Sequence, residues 1–257
     1  MKTNSLGFIG GGRITKIFLQ AFANKKAEFQ SIVVFDINAE VMKALKQQFP
    51  QIVIAENAQQ AASQPIVFIA LHPPLIMETL DKIADTVSND ALVISLAPKI
   101  SFEKISSKLK TANIARMIPN ATSYINEGYN PVTFSAGFAK NEKSAILEIL
   151  ELLGKTFEVA ESKLEAYALL SAMLPTYFWF QWNELNKLGV QMGLSEEESK
   201  FSVQQTLVAA INLMYESKLS PEQVMDLIPV KPIGENQTQI SEIYQSKLMG
   251  LFEKIKP

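Results

Sequence analysis

Leu6-Gly7-Phe8-Ile9-Gly10-Gly11-Gly12-Arg13-Ile14-Thr15 is a short apolar run that opens into three glycines and then into an amphipathic helical pattern. It reads as a strand, a glycine turn and a helix start. Gly10 permits the tight turn. Gly12 leaves out the Cβ that would intrude where phosphates approach. The first helical N–H groups, at Arg13 and Ile14, then point at an anion. A second strand, Ser31-Ile32-Val33-Val34-Phe35, ends in Asp36, 24 residues beyond Gly12. That spacing suits a carboxylate holding the adenosine ribose hydroxyls. Glycines alone are a weak signal. Strand, glycines, helix, strand and terminal acid in order are much stronger, and they predict a dinucleotide site. The other reading is a structural glycine turn in a fold that binds no cofactor.

The third small position of this fingerprint is Thr15, where Gly or Ala packs most closely. Thr is small enough to be tolerated. Asp36 also bears on the choice of cofactor. A carboxylate there pairs with a free 2′-hydroxyl and repels a 2′-phosphate, and Ile37-Asn38-Ala39-Glu40 adds no Lys or Arg. The expected cofactor is NAD or NADP, with NAD favoured and Arg13 as a cation that can reach around.

The chain's 257 residues suffice for two domains of ordinary size, and its 47% hydrophobic content supports sizeable cores. A net charge of −2 gives no sign of a nucleic-acid or acidic-membrane partner. Cysteine is absent and His72 is the single histidine. Disulfides, cysteine nucleophiles and His-cluster metal sites are thereby excluded, and no metal is expected. Met1-Lys2-Thr3-Asn4 runs straight into the first strand, so no signal peptide is expected. The long apolar and uncharged stretch from Ala166 to Asn183 includes Ser171, Pro175, Thr176, Gln181 and Asn183, which a membrane span would have to bury. It reads as a buried helix of a soluble protein, and the cytoplasm is the expected location.

Strand and helix signals alternate through the first part. Helices are expected over Ile14–Ala23, Ala39–Gln48, Leu75–Val87 and Phe102–Leu109. Strands are expected over Ile52–Ala55, Ile66–Leu71, Ala91–Leu96 and Asn113–Ile118. Apolar runs such as Ile66-Val67-Phe68-Ile69-Ala70 suit strands covered on both faces. The expected fold is an α/β, Rossmann-type doubly wound parallel sheet. A strand at Asn130–Ala136, a helix near Asn141–Leu153 and a last strand at Lys155–Val159 complete it. From Glu161 the pattern is helical only. Apolar residues recur at helical spacing through Leu164–Leu188. Ser195 reads as an N-cap followed by three acids, and the helix after it runs to about Ser217. Ser220-Pro221-Glu222 starts another, and Thr238–Lys254 forms the last. The boundary near Ala160–Ser162 divides a dinucleotide-binding domain, 1–160, from a helical domain, 161–257. Tyr177, Phe178, Trp179, Phe180 and Trp182 cover more than one helix face. Some of them are expected to pack on another subunit, the alternative being a large internal core.

Several segments together resemble the pyrroline-5-carboxylate reductase family. Gly7-Phe8-Ile9-Gly10-Gly11-Gly12 resembles its opening. Met117-Ile118-Pro119-Asn120 with Glu127-Gly128 resembles its Met-Pro-Asn segment and Gly-Glu-Gly loop. Leu170-Ser171-Ala172-Met173-Leu174-Pro175-Thr176-Tyr177 resembles its Leu-Ser-Gly-Ser-Gly-Pro-Ala-Tyr helix entry. Met192-Gly193-Leu194-Ser195 and Gln205-Thr206 sit where the family has Lys-Leu-Gly-Leu and Gln-Thr. The resemblance covers almost the whole chain, in order and spacing. It implies an N-terminal Rossmann domain with an all-α, dimer-forming C-terminal domain. It also implies hydride transfer from a nicotinamide to a cyclic imine, giving proline.

The departures fall on the substrate side. Ala172 and Leu174 stand where the family's helix entry has glycines. Asp226–Thr238 replaces a Ser-Pro-Gly-Gly-Thr-Thr loop that cradles the substrate carboxylate, leaving Lys231 and Thr238 as the remaining contacts. His72-Pro73-Pro74 replaces Lys-Pro-Gln. The expected substrate contacts are therefore Ser171, Thr176, Lys231 and Thr238. Each also has a plain reading, as helix caps or a solvated loop residue. The expected cofactor contacts are Gly10, Gly11, Gly12, Arg13, Ile14, Asp36, Leu71, His72, Pro73, Ala97 and Asn120. His72 ends a strand and can touch the cofactor or donate a proton, or simply be exposed. Asn120 can bond the nicotinamide ribose or the substrate, or form a turn. Tyr177 reads as packing.

The reading is an NAD(P)-dependent oxidoreductase acting on a C=N bond of a small-molecule substrate, as a homodimer or higher homo-oligomer. Two rivals remain: a reductase of a different imine or ketone, and a catalytically inactive NAD(P)-binding regulatory protein. A deazaflavin-dependent reductase is a weaker fourth.

Overall fold

The structure is a computed structural model, and residues 5–257 are described. Met1-Lys2-Thr3-Asn4, on which the inferred absence of a signal peptide rests, lies outside the described residues. The chain divides into two compact units. One runs to Ala172 and includes Phe252–Pro257; the other is Met173–Leu251.

The first unit is a sheet wound with helices. Its elements are β1 (Ser5–Ile9), α1 (Arg13–Asn24), β2 (Ser31–Phe35), α2 (Ala39–Gln48), β3 (Val53–Ile54), α3 (Ala58–Ala62), β4 (Ile66–Ile69) and α4 (Pro73–Ile83). Then follow β5 (Leu92–Ser95), α5 (Phe102–Ser106), β6 (Ile114–Met117), β7 (Gly128–Phe134), α6 (Lys140–Glu151), β8 (Gly154–Glu158) and α7 (Leu164–Tyr167). The eight strands lie in the order β3-β2-β1-β4-β5-β6-β7-β8. The order reverses at β1, which places a crevice at the carboxyl ends of β1 and β4. Neighbours are parallel except β6 and β7, which are antiparallel. The connection from Ile118 to Glu127 turns back through a 3₁₀ helix, Ala121–Ile125. It holds no crossover helix, which a parallel return needs.

The apolar strand runs are explained by two cores. On one face Phe8 stacks on Phe68 with centroids 4.7 Å apart, and Phe18 of α1 meets Phe8 edge-on at 5.9 Å. Ile9, Val67 and Ile69 point to the other face, among Ile76, Leu80 and Ile83 of α4. Truncating a ring such as Phe8 to Ala costs about 3–5 kcal/mol. Helix α3 escaped the sequence reading because its apolar residues are all alanines. It packs so tightly on β1 that a Cβ on Gly7 would collide with the Ala61 carbonyl.

The second unit contains α8 (Leu174–Gln191), α9 (Glu196–Glu216), α10 (Pro221–Asp226) and most of α11 (Gln237–Ile255). The helical stretch expected over Leu164–Leu188 is broken: α7 passes into a π turn, Ala168–Ala172, before α8 starts with Pro175 in its first turn. Proline lacks the N–H that a helix interior needs, so it suits only a first turn. Local signals elsewhere held. Ser195 and Glu198 form a reciprocal capping box on α9, and Ser220 and Gln223 another on α10.

The Ala166–Asn183 stretch, read as a buried helix, is buried only near its start, at Ala168, Leu169 and Ser171. No residue of α8 is buried, Trp179 is 47% exposed and Phe180 68%. The apolar residues of this helix cover several faces, and one chain's core receives none of them. Among the described residues no helix is long and apolar enough to cross a membrane.

Candidate functional site

The glycine turn is built as its spacing implies. Gly10 has φ +106°, and its N–H donates to the Phe35 carbonyl at 2.7 Å, tying the end of β1 to β2. A Cβ on Gly10 would strike the Ala70 carbonyl, and one on Gly11 would come within 2.8 Å of Met42 Sδ. Around Gly12 there is nothing within 4 Å of a would-be Cβ. Packing within the protein therefore does not require glycine at this position. Gly12 is also the N-cap of α1; it offers no side-chain cap, and no acid occupies the first turn. The helix thus presents uncapped N–H donors and its positive dipole end to clear space. Thr15 has its own reason: it is fully buried and its hydroxyl donates to the Gly10 carbonyl, closing the turn.

Asp36 leaves β2 with both carboxylate oxygens engaged. Oδ2 accepts Gly11 N–H at 2.8 Å and Oδ1 accepts Asn38 N–H at 2.9 Å. The carboxylate is aimed by the backbone and keeps free lone pairs. Beside it lies a hollow of about 710 Å³, lined by Phe35, Asp36, Ile37, Met42, Lys43 and Ile54 among others. Lys46 also lines it, but its ammonium donates to the Pro50 and Ile52 carbonyls. Lys43 is a cation that the Ile37–Glu40 segment did not reveal. Uncapped donors, clear space, an oriented carboxylate and an adjoining hollow fit a dinucleotide.

The remaining expected cofactor contacts come together at the same edge of this sheet. Leu71, His72 and Pro73 follow β4, with exposed His72 as the N-cap of α4; Ala97 follows β5 and is buried. Asn120 follows β6 and is 4% exposed. Its Oδ1 accepts Thr122 N–H at 3.0 Å and the Thr122 hydroxyl at 2.8 Å, and its Nδ2 donates to the Ser171 carbonyl at 3.0 Å. Asn120 therefore has a turn-forming geometry, with its amide hydrogen-bonded inside the protein.

The expected substrate contacts are divided between the units. Ser171 belongs to the first; its hydroxyl donates to the Tyr167 carbonyl at 2.7 Å. Thr176 in the first turn of α8 donates to Met173 O at 2.7 Å. Lys231 lies exposed between α10 and α11, and Thr238 is exposed in the first turn of α11. Burial, and then Tyr244 beside it, raise the pKa of the Tyr177 phenol above its ordinary value. It is thus kept neutral, as suits a packing residue.

A buried charge cluster was not read from the sequence. Arg116, on β6 and fully buried, holds Glu161 Oε1 at 2.8 Å and Glu165 Oε1 at 2.5 Å. Those carboxylates accept backbone N–H groups of the β5–α5 connection and the first residue of α5: Lys99 to Glu165 at 3.3 Å, Phe102 to Glu161 at 2.9 Å. This explains why the first unit reaches Ala172 although the sequence pattern changes near Ala160–Ser162. Lys99 has φ +75°, a left-handed conformation that costs a non-glycine residue about 1–2 kcal/mol. One signal was available in the sequence, an arginine inside the apolar run Ile114-Ala115-Arg116-Met117. Among the described residues no group of three His, Cys, Asp or Glu is placed to hold a metal ion.

A doubly wound sheet with a glycine turn and a strand-end acid is the arrangement of the dinucleotide-binding class of proteins. Residues 5–99 match the family model described as NADP oxidoreductase coenzyme F420-dependent, and residues 161–254 match that of pyrroline-5-carboxylate reductase dimerisation. The pyrroline-5-carboxylate reductase of Corynebacterium melassecola is 24% identical over 252 residues, 96% of this chain and 93% of that protein. That of Pasteurella multocida is 25% identical over 243 residues, covering 93% and 86%. The crystal structure of Plasmodium falciparum pyrroline carboxylate reductase with NADP bound shares the fold, with a TM-score of 0.76 at 19% identity, over 99% of this chain and 95% of that one. The chain is thus similar along almost its whole length to pyrroline-5-carboxylate reductases, and its helical half matches their dimerisation model.

Proposed function

We propose that the protein reduces a cyclic imine with NADH or NADPH, the substrate being pyrroline-5-carboxylate and the product proline. It does so in the cytoplasm, as a homodimer or higher homo-oligomer. One observation carries the reading. The glycine turn, Asp36, Leu71–Pro73, Ala97 and Asn120 stand at the carboxyl ends of neighbouring strands, in a chain whose helical half matches a reductase dimerisation model.

The bound dinucleotide supplies the hydride. The uncapped start of α1, at Gly12, Arg13 and Ile14, holds the pyrophosphate. Asp36, already oriented by Gly11 and Asn38, accepts from the adenosine ribose and repels a 2′-phosphate, which favours NADH; Lys43 is the group that can offset this for NADPH. Leu71, His72, Pro73 and Ala97 border the nicotinamide side, and Asn120 keeps the β6 end in shape. Ser171, Thr176, Lys231 and Thr238 are the proposed substrate contacts. A protonated imine is already electrophilic, so alignment and exclusion of water carry most of the rate.

A second reading, a different imine or ketone, is favoured by exposed Leu174 and by Ile228, Val230 and Ile233, where polar groups would suit a carboxylate better. The test is oxidation of NADH and NADPH, followed at the nicotinamide absorbance, with pyrroline-5-carboxylate and a panel of other imines and ketones. Substrate-dependent oxidation that vanishes in Gly12→Asp supports reduction, and the panel decides the substrate. NADH binding without any turnover would leave a regulatory protein.

A further inference from the structure

Lys99 occupies a backbone position where glycine is the usual residue, at φ +75°. Two carboxylates grip the connection around it, Glu165 at the Lys99 N–H and Glu161 at the Phe102 N–H. Both are oriented from behind by the one guanidinium of Arg116. Lys104 Nζ adds a hydrogen bond to the Lys99 carbonyl at 3.3 Å, and a second positive charge. A connection that only linked β5 to α5 could carry glycine at 99 without strain. Strain held by a buried network points to a function for the residue that bears it. The Lys99 side chain is exposed, and its ammonium forms no ion pair among the described residues.

Its place in the sheet selects the anion. β5 lies two strands from β1, on the side away from Asp36. Ordinary strand spacing makes that about 10 Å. The connection that carries Lys99 leaves β5 through Ala97, a proposed nicotinamide-side contact, and not through the phosphate turn at the end of β1.

We propose that Lys99 is a specificity-determining residue, presented by the Arg116–Glu161–Glu165 clamp to bind the carboxylate of the substrate. The inference rests on the reductase reading above and assigns the acid group to Lys99 rather than to Lys231 and Thr238, which stay as contacts to the rest of the substrate.

The test compares Lys99→Gly, Lys99→Gln and Lys99→Arg with the wild-type protein. L-Proline, an unreactive carboxylate probe in the presence of NADH, is titrated into each protein saturated with NADH and followed by nicotinamide fluorescence. Urea unfolding is measured alongside. Lys99→Gly should unfold at higher urea, bind NADH as the wild type does, and bind L-proline roughly tenfold or more weakly. Lys99→Gln should show the same weakening without the gain in stability, and Lys99→Arg should restore binding. Unchanged L-proline binding in Lys99→Gly and Lys99→Gln overturns the proposal, as does a wild-type protein that binds NADH but not L-proline. A wild-type protein that binds neither overturns the reductase reading, and this inference with it.

Discussion

In the unit that ends at Ala172, Phe8, Phe18, Phe68, Leu19 and Ile76 are fully buried, and helices cover both faces of the sheet. In the unit Met173–Leu251, Phe180, Phe201, Tyr215, Ile228 and Val230 are more than half exposed, and Ser199 is the one buried residue among those described. Both are built from apolar sequence. The first returns to its own sheet at every crossover and so encloses what it carries. The second has long helices that are apolar on several faces, and one chain cannot wrap them all. Exposed apolar surface of this extent marks an interaction surface, in keeping with the dimerisation model that matches it.

The largest expected effect tests that contrast directly. Phe180→Glu places a charge on the uncovered face and should dissociate the oligomer. Light scattering after size exclusion should then read the 28.5 kDa of one chain. A wild-type protein of that mass would break the comparison, because the apolar helices would then stand in water alone.

Next in size is the first unit's buried charge. Arg116→Leu leaves Glu165 buried without its partner and should lower stability by about 3–5 kcal/mol in urea unfolding. Adding Glu161→Leu and Glu165→Leu should recover most of it. Equal loss in the single and triple variants would mean that the guanidinium matters through packing rather than charge.

Gly12→Asp separates stability from binding within the same unit. A Cβ there meets nothing within 4 Å and the carboxylate caps α1, so the unfolding midpoint should hold or rise slightly. NADH affinity, by fluorescence titration, should fall on the order of 100-fold, since the carboxylate caps α1 and repels the pyrophosphate. A fallen midpoint would show that the glycine serves the fold itself.

The smallest effect belongs to the helical unit. Ser195→Ala removes the hydroxyl half of the α9 capping box and should cost about 1 kcal/mol. Hydrogen bonds from Ser195 hold the Glu198 carboxyl below its ordinary pKa. A depressed folded-state pKa contributes stability that is present above the unfolded value and lost as pH falls through the folded one. Acidification should therefore narrow the gap between wild type and Ser195→Ala, in urea midpoints taken from neutral to acid pH.

Much of this was legible in the chain. Gly10–Gly12, Asp36, the Ser195 and Ser220 caps and the strand runs are read within a few residues of themselves, and each stands as expected. Thr15 looked like a tolerated blemish, and its bond to Gly10 O shows why the position accepts a hydroxyl. Helix α3 has no apolar stripe, only alanines whose role depends on Gly7 in another element. The Ala166–Asn183 stretch is buried at Ala168, Leu169 and Ser171 but not from Leu174 on; hydropathy records how apolar a segment is and not what covers it.

The amino-acid order by itself determined the wound sheet, the place of the glycine turn and the helical second half. Those depend on backbone freedom, caps and apolar periodicity, which act over short distances along the chain. Only the tertiary structure decided the antiparallel β7, the cluster in which Arg116 meets Glu161 and Glu165, 45 and 49 residues away, and the strained Lys99 beside it. A buried charge and a left-handed lysine are stable only where distant elements supply their partners, and nothing near them in sequence records that.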